Sequence, residues 1–217
     1  MFFVCWSPKG GSGTSVTAAA LGLTIASSGR ETLLVDTVGD LPMVLGLPPG
    51  TGDGLSDWLL APSDVSADAL SLLEVPAGER LQLLGAGNAT QSAIDPERAV
   101  LAAELLSRSA RWVVVDAGST GPPDRWLVHG ARPVMVIRAC YLGIQAALSR
   151  PLALGTSVVV VEEPGRALRL SDVTAVFNGH RVIAVPWDPA VSRAVDSGLL
   201  AHRMPRSLNR LSEVLGD

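Results

Sequence analysis

Short apolar runs alternate with more polar, helix-compatible stretches along the chain. The runs are rich in Val, Leu and Ile and are bounded by Gly, Pro or Asp, which is typical of strands buried on both faces of a parallel sheet. They predict strands over residues 2–7, 32–36, 81–84, 112–116, 133–138, 157–161 and 182–185.

The intervals between the runs predict helices. Pro96 is favoured at a first helical position, so it supports a helix that opens at Asp95. Helices are predicted over residues 14–27, 54–61, 66–73, 95–109, 142–149, 170–177, 189–196 and 205–215. Strands that alternate with helices indicate an α/β fold: one domain, residues 1–217, with a parallel twisted sheet and helices on both faces.

Composition narrows the class of protein. The chain has 217 residues, of which 47% are hydrophobic and 18% charged, and its mean hydropathy is +0.34. No apolar stretch is long enough for a transmembrane helix, and no basic segment precedes the first strand, so we expect a cytoplasmic protein without a signal peptide. The net charge of −4 supplies no basic field for nucleic acid. Cys5 and Cys140 are expected to be buried thiols.

The most informative residue is Lys9, the only lysine in the chain. Arginine is used at every other basic position, and coding bias explains that preference but not the lysine retained here. Lys9 lies in a glycine-rich loop between the first strand and the first helix, where backbone N–H groups and a helix N-terminus can wrap an anion. The loop residues predicted to bind a phosphate-bearing cofactor are Lys9, Gly10, Gly11, Ser12, Gly13, Thr14 and Ser15.

Two aspartates follow buried strands at the edge where this loop lies. Asp36 ends the strand 32–36 and Asp116 ends the strand 112–116. Ligands of open α/β sheets bind beyond the carboxyl ends of the strands, and an aspartate there suits a site for Mg²⁺. The alternative is that either residue starts a turn or caps a helix.

These motifs resemble the ParA/MinD family of deviant-Walker P-loop ATPases. The segment from Lys9 to Ser15 is similar to the family pattern in which a signature lysine precedes the glycines. The resemblance implies a P-loop NTPase-like fold, ATP and Mg²⁺ as cofactors, and an ATP-dependent homodimer in which Lys9 reaches the partner's nucleotide. It also implies Ser15 and Asp116 as metal ligands and Pro186 and Asp188 as contacts to the base. The predicted catalytic residues are Lys9, Asp36 and Asp116.

Two positions depart from the family pattern. The usual loop lysine is replaced by Thr14, and the second aspartate after strand 2 is replaced by Val38. Asp40 lies two residues further on and is expected to fall short of the nucleotide. Both departures predict weak or absent hydrolysis. The missing loop lysine is also a feature of the CpaE/TadZ type, which places pilus-assembly machinery; that similarity is partial because those proteins usually carry a receiver-like domain before this one.

The C-terminal segment, residues 199–215, is basic and amphipathic. Two interpretations stay open: it lies on a membrane, as a MinD-type tail does, or it packs on the sheet. Most tryptophans are expected in the core or at an interface, with Trp187 the exception because it lies in the segment that resembles the base-contacting loop. Arg138, at a strand end, either faces a ligand or forms an ion pair at the surface.

Three functions remain open. The first is an ATP-binding positioning or switch protein with an unidentified protein partner. The second is an adaptor that no longer binds nucleotide, which Thr14 and Val38 favour and Lys9 and Asp116 oppose. The third is a slow ATPase that acts on DNA, membrane or pilus cargo.

Overall fold

The computed structural model describes residues 1–48, 52–62, 65–89, 96–119 and 124–216. Within them the strands form one sheet that is flanked by α-helices and two 3₁₀ helices. The strands are β1 (Phe2–Trp6), β2 (Thr32–Asp36), β3 (Glu74–Gly78), β4 (Leu81–Leu84), β5 (Trp112–Asp116), β6 (Arg132–Arg138), β7 (Ser157–Glu162) and β8 (Arg181–Pro186). The α-helices are α1 (Thr14–Ser27), α2 (Leu41–Leu45), α3 (Leu55–Leu60), α4 (Pro96–Ser107), α5 (Asp124–Val128), α6 (Tyr141–Leu148), α7 (Leu170–Val176) and α8 (Pro189–Asp196). The 3₁₀ helices are Ala67–Leu73 and Arg206–Leu215.

The described strands form an eight-stranded sheet in the order β3-β4-β2-β5-β1-β6-β7-β8. Every pairing is parallel except that of β3 with β4. The predicted sheet with helices on both faces is therefore confirmed. β1 lies between β5 and β6, so the loop that follows β1 leaves from the middle of the sheet.

The helices cover the sheet on both faces. One face packs against α3, α4, α5, α6, α7 and the first 3₁₀ helix, and the other packs against α1, α2, α8 and the last 3₁₀ helix. Alternation along the strands places Leu34 and Val114 on the α1 face. Asp36 and Asp116 are each two residues further on, and so they point to that same face.

Helix α1 lies tightly against the sheet. Gly22 makes this possible, because a Cβ atom at that position would lie 2.7 Å from Leu34 Cδ2. Gly13 precedes the helix in a left-handed conformation with a φ of 94°, which glycine adopts at little cost. The two glycines place the first turn of α1 over the carboxyl ends of the central strands.

The predicted elements differ from the structure mainly at the edge of the sheet. The strand β3 was not predicted, because Pro76 interrupts its apolar pattern and proline is confined to edge strands. The hairpin with β4 turns at Arg80, which has a φ of 56°. The short helix α5 was also missed. The predicted helix start at Asp95 lies outside the described residues.

The C-terminal segment packs on the body of the protein. Leu208, Leu211 and Val214 are buried, and their helix contacts α1 and β8. Of the two interpretations of this amphipathic segment, the structure agrees with packing on the sheet, since the apolar face that would enter a bilayer is covered. No helix in the described ranges is both long and apolar enough to cross a membrane.

Candidate functional site

The loop between β1 and α1 forms a cradle at the carboxyl edge of the sheet. Ser7 and Ser12 both donate their hydroxyl groups to the carbonyl oxygen of Lys9, at 2.9 and 2.8 Å. These bonds tie the two ends of the loop to its centre. The first turn of α1 contains no acidic side chain, and Gly13 provides no side-chain cap. The positive end of the helix therefore faces the cleft without a competing carboxylate from its own first turn.

A cleft of about 600 Å³ lies in front of this loop. The loop glycines, Thr14 and Ser15 form one wall, and residues of α2 and the end of α8 form the opposite wall. Asp40 and Asp196 also line the cleft. Among the described residues, no Lys or Arg side chain lines it.

Asp116 is completely buried beside the cleft. Its Oδ1 accepts a hydrogen bond from the backbone N–H of Gly118 at 3.0 Å, whereas its Oδ2 has no hydrogen-bond partner among the residues that the structure describes. Burial raises the pKa of this carboxyl to about 6, and the Gly118 N–H lowers it in part. The Ser15 hydroxyl is also near enough to lower this pKa, but its hydrogen bond in the structure is with Asp40. A buried carboxylate oxygen without a donor is costly for the free protein, and a cation would satisfy it.

Asp36, one of the predicted catalytic residues, accepts hydrogen bonds from the loop that follows it. Its two carboxylate oxygens accept three backbone N–H bonds, from Val38, Gly39 and Leu41, at 2.7–3.0 Å. The residue is fully buried and burial raises its pKa despite those bonds. Because its lone pairs are directed at the loop after β2, we regard Asp36 as the residue that holds this loop in place.

Asp40 lies close to the loop between β1 and α1, beside Ser15. The hydrogen bonds to the Asp36 carboxylate hold residues 38–41 in a tight turn. In this turn Asp40 Oδ2 accepts a long hydrogen bond of 3.4 Å from the Ser15 hydroxyl. Val38, at 49% exposure, lines the cleft near Gly118. Spacing along the sequence did not reveal the approach of Asp40, because it depends on the tight turn that Asp36 stabilises.

Lys9 is exposed at the loop and is not one of the residues that line the cleft. Its ammonium has no hydrogen bond or ion pair with any residue that the structure describes. Its carbonyl oxygen is the acceptor for two serines of the loop, so the backbone at Lys9 is held while the side chain remains available.

A second, smaller cavity of about 230 Å³ adjoins the other side of the loop. Pro186 and Asp188, the predicted base contacts, line it together with Trp187 and Arg138. Asp188 also has structural bonds, because its oxygens accept from Ala190 N and from the Ser207 hydroxyl, both at 2.8 Å. These two bonds lower the pKa of Asp188.

Arg138 forms an ion pair, which is one of the two interpretations that the sequence left open, and it also lines the smaller cavity. It forms an ion pair with Glu163, which also pairs with Arg166. Its guanidinium lies 5.5 Å from the ring centroid of Trp187, which is 39% exposed and faces the smaller cavity. The other tryptophans pack in or against the core, as predicted, with Trp6, Trp58 and Trp126 buried.

The donor atoms at the cleft fit magnesium better than a transition metal. The Ser15 hydroxyl, the Asp40 carboxylate and the free Oδ2 of Asp116 are all oxygens, which Mg²⁺ prefers. Across the described ranges, no group of three or more His, Cys, Asp or Glu side chains is arranged to hold a metal ion on its own. A magnesium ion here would need phosphate and water oxygens to complete its ligands.

The sequence matches no protein-family model and no curated protein. Solved structures do match in fold. A ParA family ATPase from Chlorobium tepidum aligns with a TM-score of 0.78 at 20% identity, over 99% of this chain and 97% of its own. The MinD cell division protein of Aquifex aeolicus aligns at 0.77 and 17% identity, over 100% and 98%. MinD from Pyrococcus horikoshii, complexed with Mg-ADP, aligns at 0.69 and 18% identity, over 100% and 97%. The chain therefore has the fold of the ParA and MinD ATPases.

Proposed function

We propose that this protein binds ATP with Mg²⁺ at the loop 9–15 and acts as a nucleotide-dependent positioning switch. The observation that carries the proposal is the buried Oδ2 of Asp116, which has no donor and lies beside a phosphate-type loop and a serine hydroxyl. A buried carboxylate with a purely structural role would be expected to have both oxygens hydrogen-bonded, because an unpaired oxygen does not stabilise the fold. Asp116 Oδ2 and the Ser15 hydroxyl would both be ligands of a magnesium ion bound with the nucleotide.

The charges of the cleft support a strict dependence on magnesium. Asp40 and Asp196 line the cleft, and Asp116 lies behind it, whereas no described basic side chain lines it. A triphosphate entering alone would meet like charges, which repel at short range. Bound Mg²⁺ reverses that balance, and the N–H groups of the loop and of the first turn of α1 hold the phosphates.

The exposed position of Lys9 supports a dimer. Its ammonium is free and does not line its own cleft, so it is available to contact phosphates bound by a second copy of the chain. We propose an ATP-dependent homodimer in which each Lys9 supplies the cation that the partner's cleft lacks. Such a dimer forms only when nucleotide is present, and that dependence is what makes it a switch.

Structures with this fold support the cofactor and the type of process. The Pyrococcus protein, a septum site-determining MinD, is complexed with Mg-ADP, and a putative plasmid partition protein from Borrelia burgdorferi is bound to AMPPNP. An Aquifex MinD is seen in a complex with MinC. We propose by analogy that this chain, too, has a protein partner and serves spatial organisation.

Hydrolysis is expected to be weak or absent. Thr14 replaces the lysine that would neutralise the phosphates, and apolar Val38 lines the cleft where a carboxylate would align water. Electrostatic stabilisation of the transferring phosphoryl group is the main contribution of such sites to catalysis, so losing one cation reduces the rate strongly.

The test of the proposal is titration with a fluorescent ATP analogue, with and without Mg²⁺. We expect saturable binding that requires Mg²⁺, with Asp116→Ala reducing affinity more than the matched change Asp196→Ala on the opposite wall. If neither the analogue nor calorimetry at millimolar MgATP detects binding, the nucleotide-free adaptor replaces this proposal. Thr14 and the missing cation in the cleft are the observations that favour that adaptor.

The position of Asp40 favours a third function, a slow ATPase. Its carboxylate lies at the Ser15 hydroxyl, where it is close enough to the phosphate loop to orient a water molecule. Phosphate release measured with DNA or lipid vesicles added, for the wild type and Asp40→Ala, decides this. A rate that rises with either addition and falls in Asp40→Ala identifies the slow ATPase.

A further inference from the structure

A third cavity lies at the opposite edge of the sheet from the phosphate loop. It has a volume of about 400 Å³ and is formed by the amino ends of β6, β7 and β8 together with the end of the last 3₁₀ helix. Clefts of this size hold small organic ligands. Because it lies at the other end of the strands, it is separate from the nucleotide cleft and has no place in the function proposed above.

The cavity contains several basic groups. Arg132, His180 and Arg181 line it, and none of its described lining residues is acidic. This local positive charge contrasts with the net charge of −4 of the whole chain. An anion entering here is attracted by two guanidinium groups that remain charged at any physiological pH.

Strand register brings the polar groups of the cavity onto one face. Ser157 pairs with Arg181 across β7 and β8, and with Val134 across β6 and β7. Val134 points to the α1 face, and Arg132 is two residues before it, so Arg132, Ser157 and Arg181 all point to that face. Three neighbouring strands therefore present two guanidinium groups and a hydroxyl on one face, with Arg132 two residues before the level of Ser157 and Arg181.

The donors in the cavity are only partly used by the protein. Arg181 Nη1 donates to the backbone carbonyl of Glu213 at 2.6 Å, which positions the side chain but leaves its charge uncompensated. The carboxylate of Glu213 is paired with Arg210 instead, at 2.7 Å. Arg132 and the hydroxyl of Ser157 have no partner among the described residues.

The rest of the cavity is apolar. Phe3, Val134 and Val214 contribute to its walls, and Leu154, which is 97% exposed, lies at its rim. An isolated phosphate would satisfy the arginines but would leave these apolar walls in contact with water. The combination suits a molecule with an anionic head and a short apolar body.

We propose that this cavity binds a small organic anion, with its carboxylate or phosphate head held by Arg132, Arg181 and Ser157 and its apolar body against the walls. Bidentate pairing of arginine with such a head group provides both strength and orientation. The ligand belongs to the class of short amphiphilic acids, and the site is independent of ATP.

The test compares hexanoate with 1-hexanol, which share an apolar body and differ in the anionic head. Chemical shifts of the backbone amides at Gly155, Ser157 and Arg181 are followed during each titration. We expect hexanoate to shift these amides saturably and 1-hexanol to bind at least about tenfold more weakly, because a charge-assisted hydrogen bond is lost. Inorganic phosphate and hexyl phosphate in parallel titrations establish which head group is preferred.

Variants locate the contact. Arg132→Gln should weaken hexanoate binding about tenfold or more, since Arg132 supports no other contact that would disturb folding. Arg203→Gln, the same change of charge on an exposed residue outside the cavity, should leave it unchanged. Hexanoate binding by Arg181→Gln is compared with that of the wild type only at temperatures at which both proteins are fully folded, because Arg181 also bonds to the last 3₁₀ helix. The proposal is overturned if 1-hexanol binds as tightly as hexanoate, if neither shifts these amides, or if Arg132→Gln binds hexanoate with wild-type affinity.

Discussion

Replacing Asp116 by asparagine should stabilise the free protein near neutral pH, although the residue is completely buried at the centre of the site. The substitution keeps the size of the side chain and leaves an oxygen to accept the Gly118 N–H bond. It removes the negative charge that burial disfavours. Most buried polar substitutions destabilise a protein, so a gain in stability is a distinctive outcome.

The magnitude follows from the pKa of Asp116, which burial raises from 3.8 to about 6. The folded protein holds this proton more tightly than the unfolded chain, so stability is lost as pH rises from the unfolded pKa to the folded one. At about 1.4 kcal/mol for each pKa unit, the full loss is about 3 kcal/mol. About 2 kcal/mol of it falls between pH 4.5 and 7.5.

The assay is urea unfolding of wild type and Asp116→Asn at a series of pH values, without nucleotide or Mg²⁺. The difference in unfolding free energy between them should change by about 2 kcal/mol in favour of the variant from pH 4.5 to pH 7.5. Asp36 is present in both proteins, and its charge raises the pKa of Asp116, so the measured difference includes the relief of that repulsion. Asp40→Asn, an exposed carboxylate of the same cleft, is the control and should change stability by no more than about 0.5 kcal/mol.

A difference that stays constant across this pH range would refute the reasoning, because it would mean that Asp116 does not hold an unpaired charge in the folded protein. The same variant should also lose most of its magnesium-dependent binding of nucleotide. A protein that gains stability and loses its ligand together is the expected sign of a carboxylate kept for binding.

Three further predictions concern the loop. ATP or ADP should bind with micromolar or weaker affinity in calorimetry, since backbone donors remain although the loop lysine is absent. Thr14→Lys should tighten nucleotide binding about tenfold or more, because one charge-assisted contact is worth roughly 1.5–3 kcal/mol. The control is Ser27→Lys, which adds the same charge at the far end of α1. Equal affinity in the two variants would show that the loop is not shaped as a Walker loop. Lys9→Ala should leave the thermal midpoint nearly unchanged but weaken MgATP-dependent association measured by sedimentation. Lys9→Arg should be intermediate, because the guanidinium has a different shape from the ammonium. Equal association of the wild type and both variants would show that Lys9 has no role in the dimer.

Much of the fold could be predicted from local patterns. The buried strands matched their apolar runs closely: β2 and β5 have the predicted bounds, and β7 is one residue longer. The differences from the predicted elements have separate physical causes. β3 is an edge strand that contains a proline and is mostly exposed, so it lacks a continuous apolar run. The last helix is 3₁₀ in form, which apolar spacing does not distinguish from an α-helix.

The candidate site was only partly predictable. Strand ends and a glycine loop placed Asp116 and Ser15 together correctly, because parallel strands bring their carboxyl ends to one edge. The role of Asp36 was not readable, since an aspartate after a strand can serve a ligand or the next turn equally well. Its three backbone bonds show that it holds the following turn, and that turn brings Asp40 close to Ser15.

The sequence by itself determined the alternation of strands and helices, the position of the phosphate loop and its single lysine, because these depend on short-range periodicity and on residue chemistry. Only the tertiary structure decided which charges share a cleft. The fold leaves the proposed nucleotide cleft without a described cation along its walls and places Arg132 and Arg181 around a cavity at the opposite edge. Residues far apart in the chain become neighbours there through strand order and register, and neither is encoded in the local pattern of any one segment.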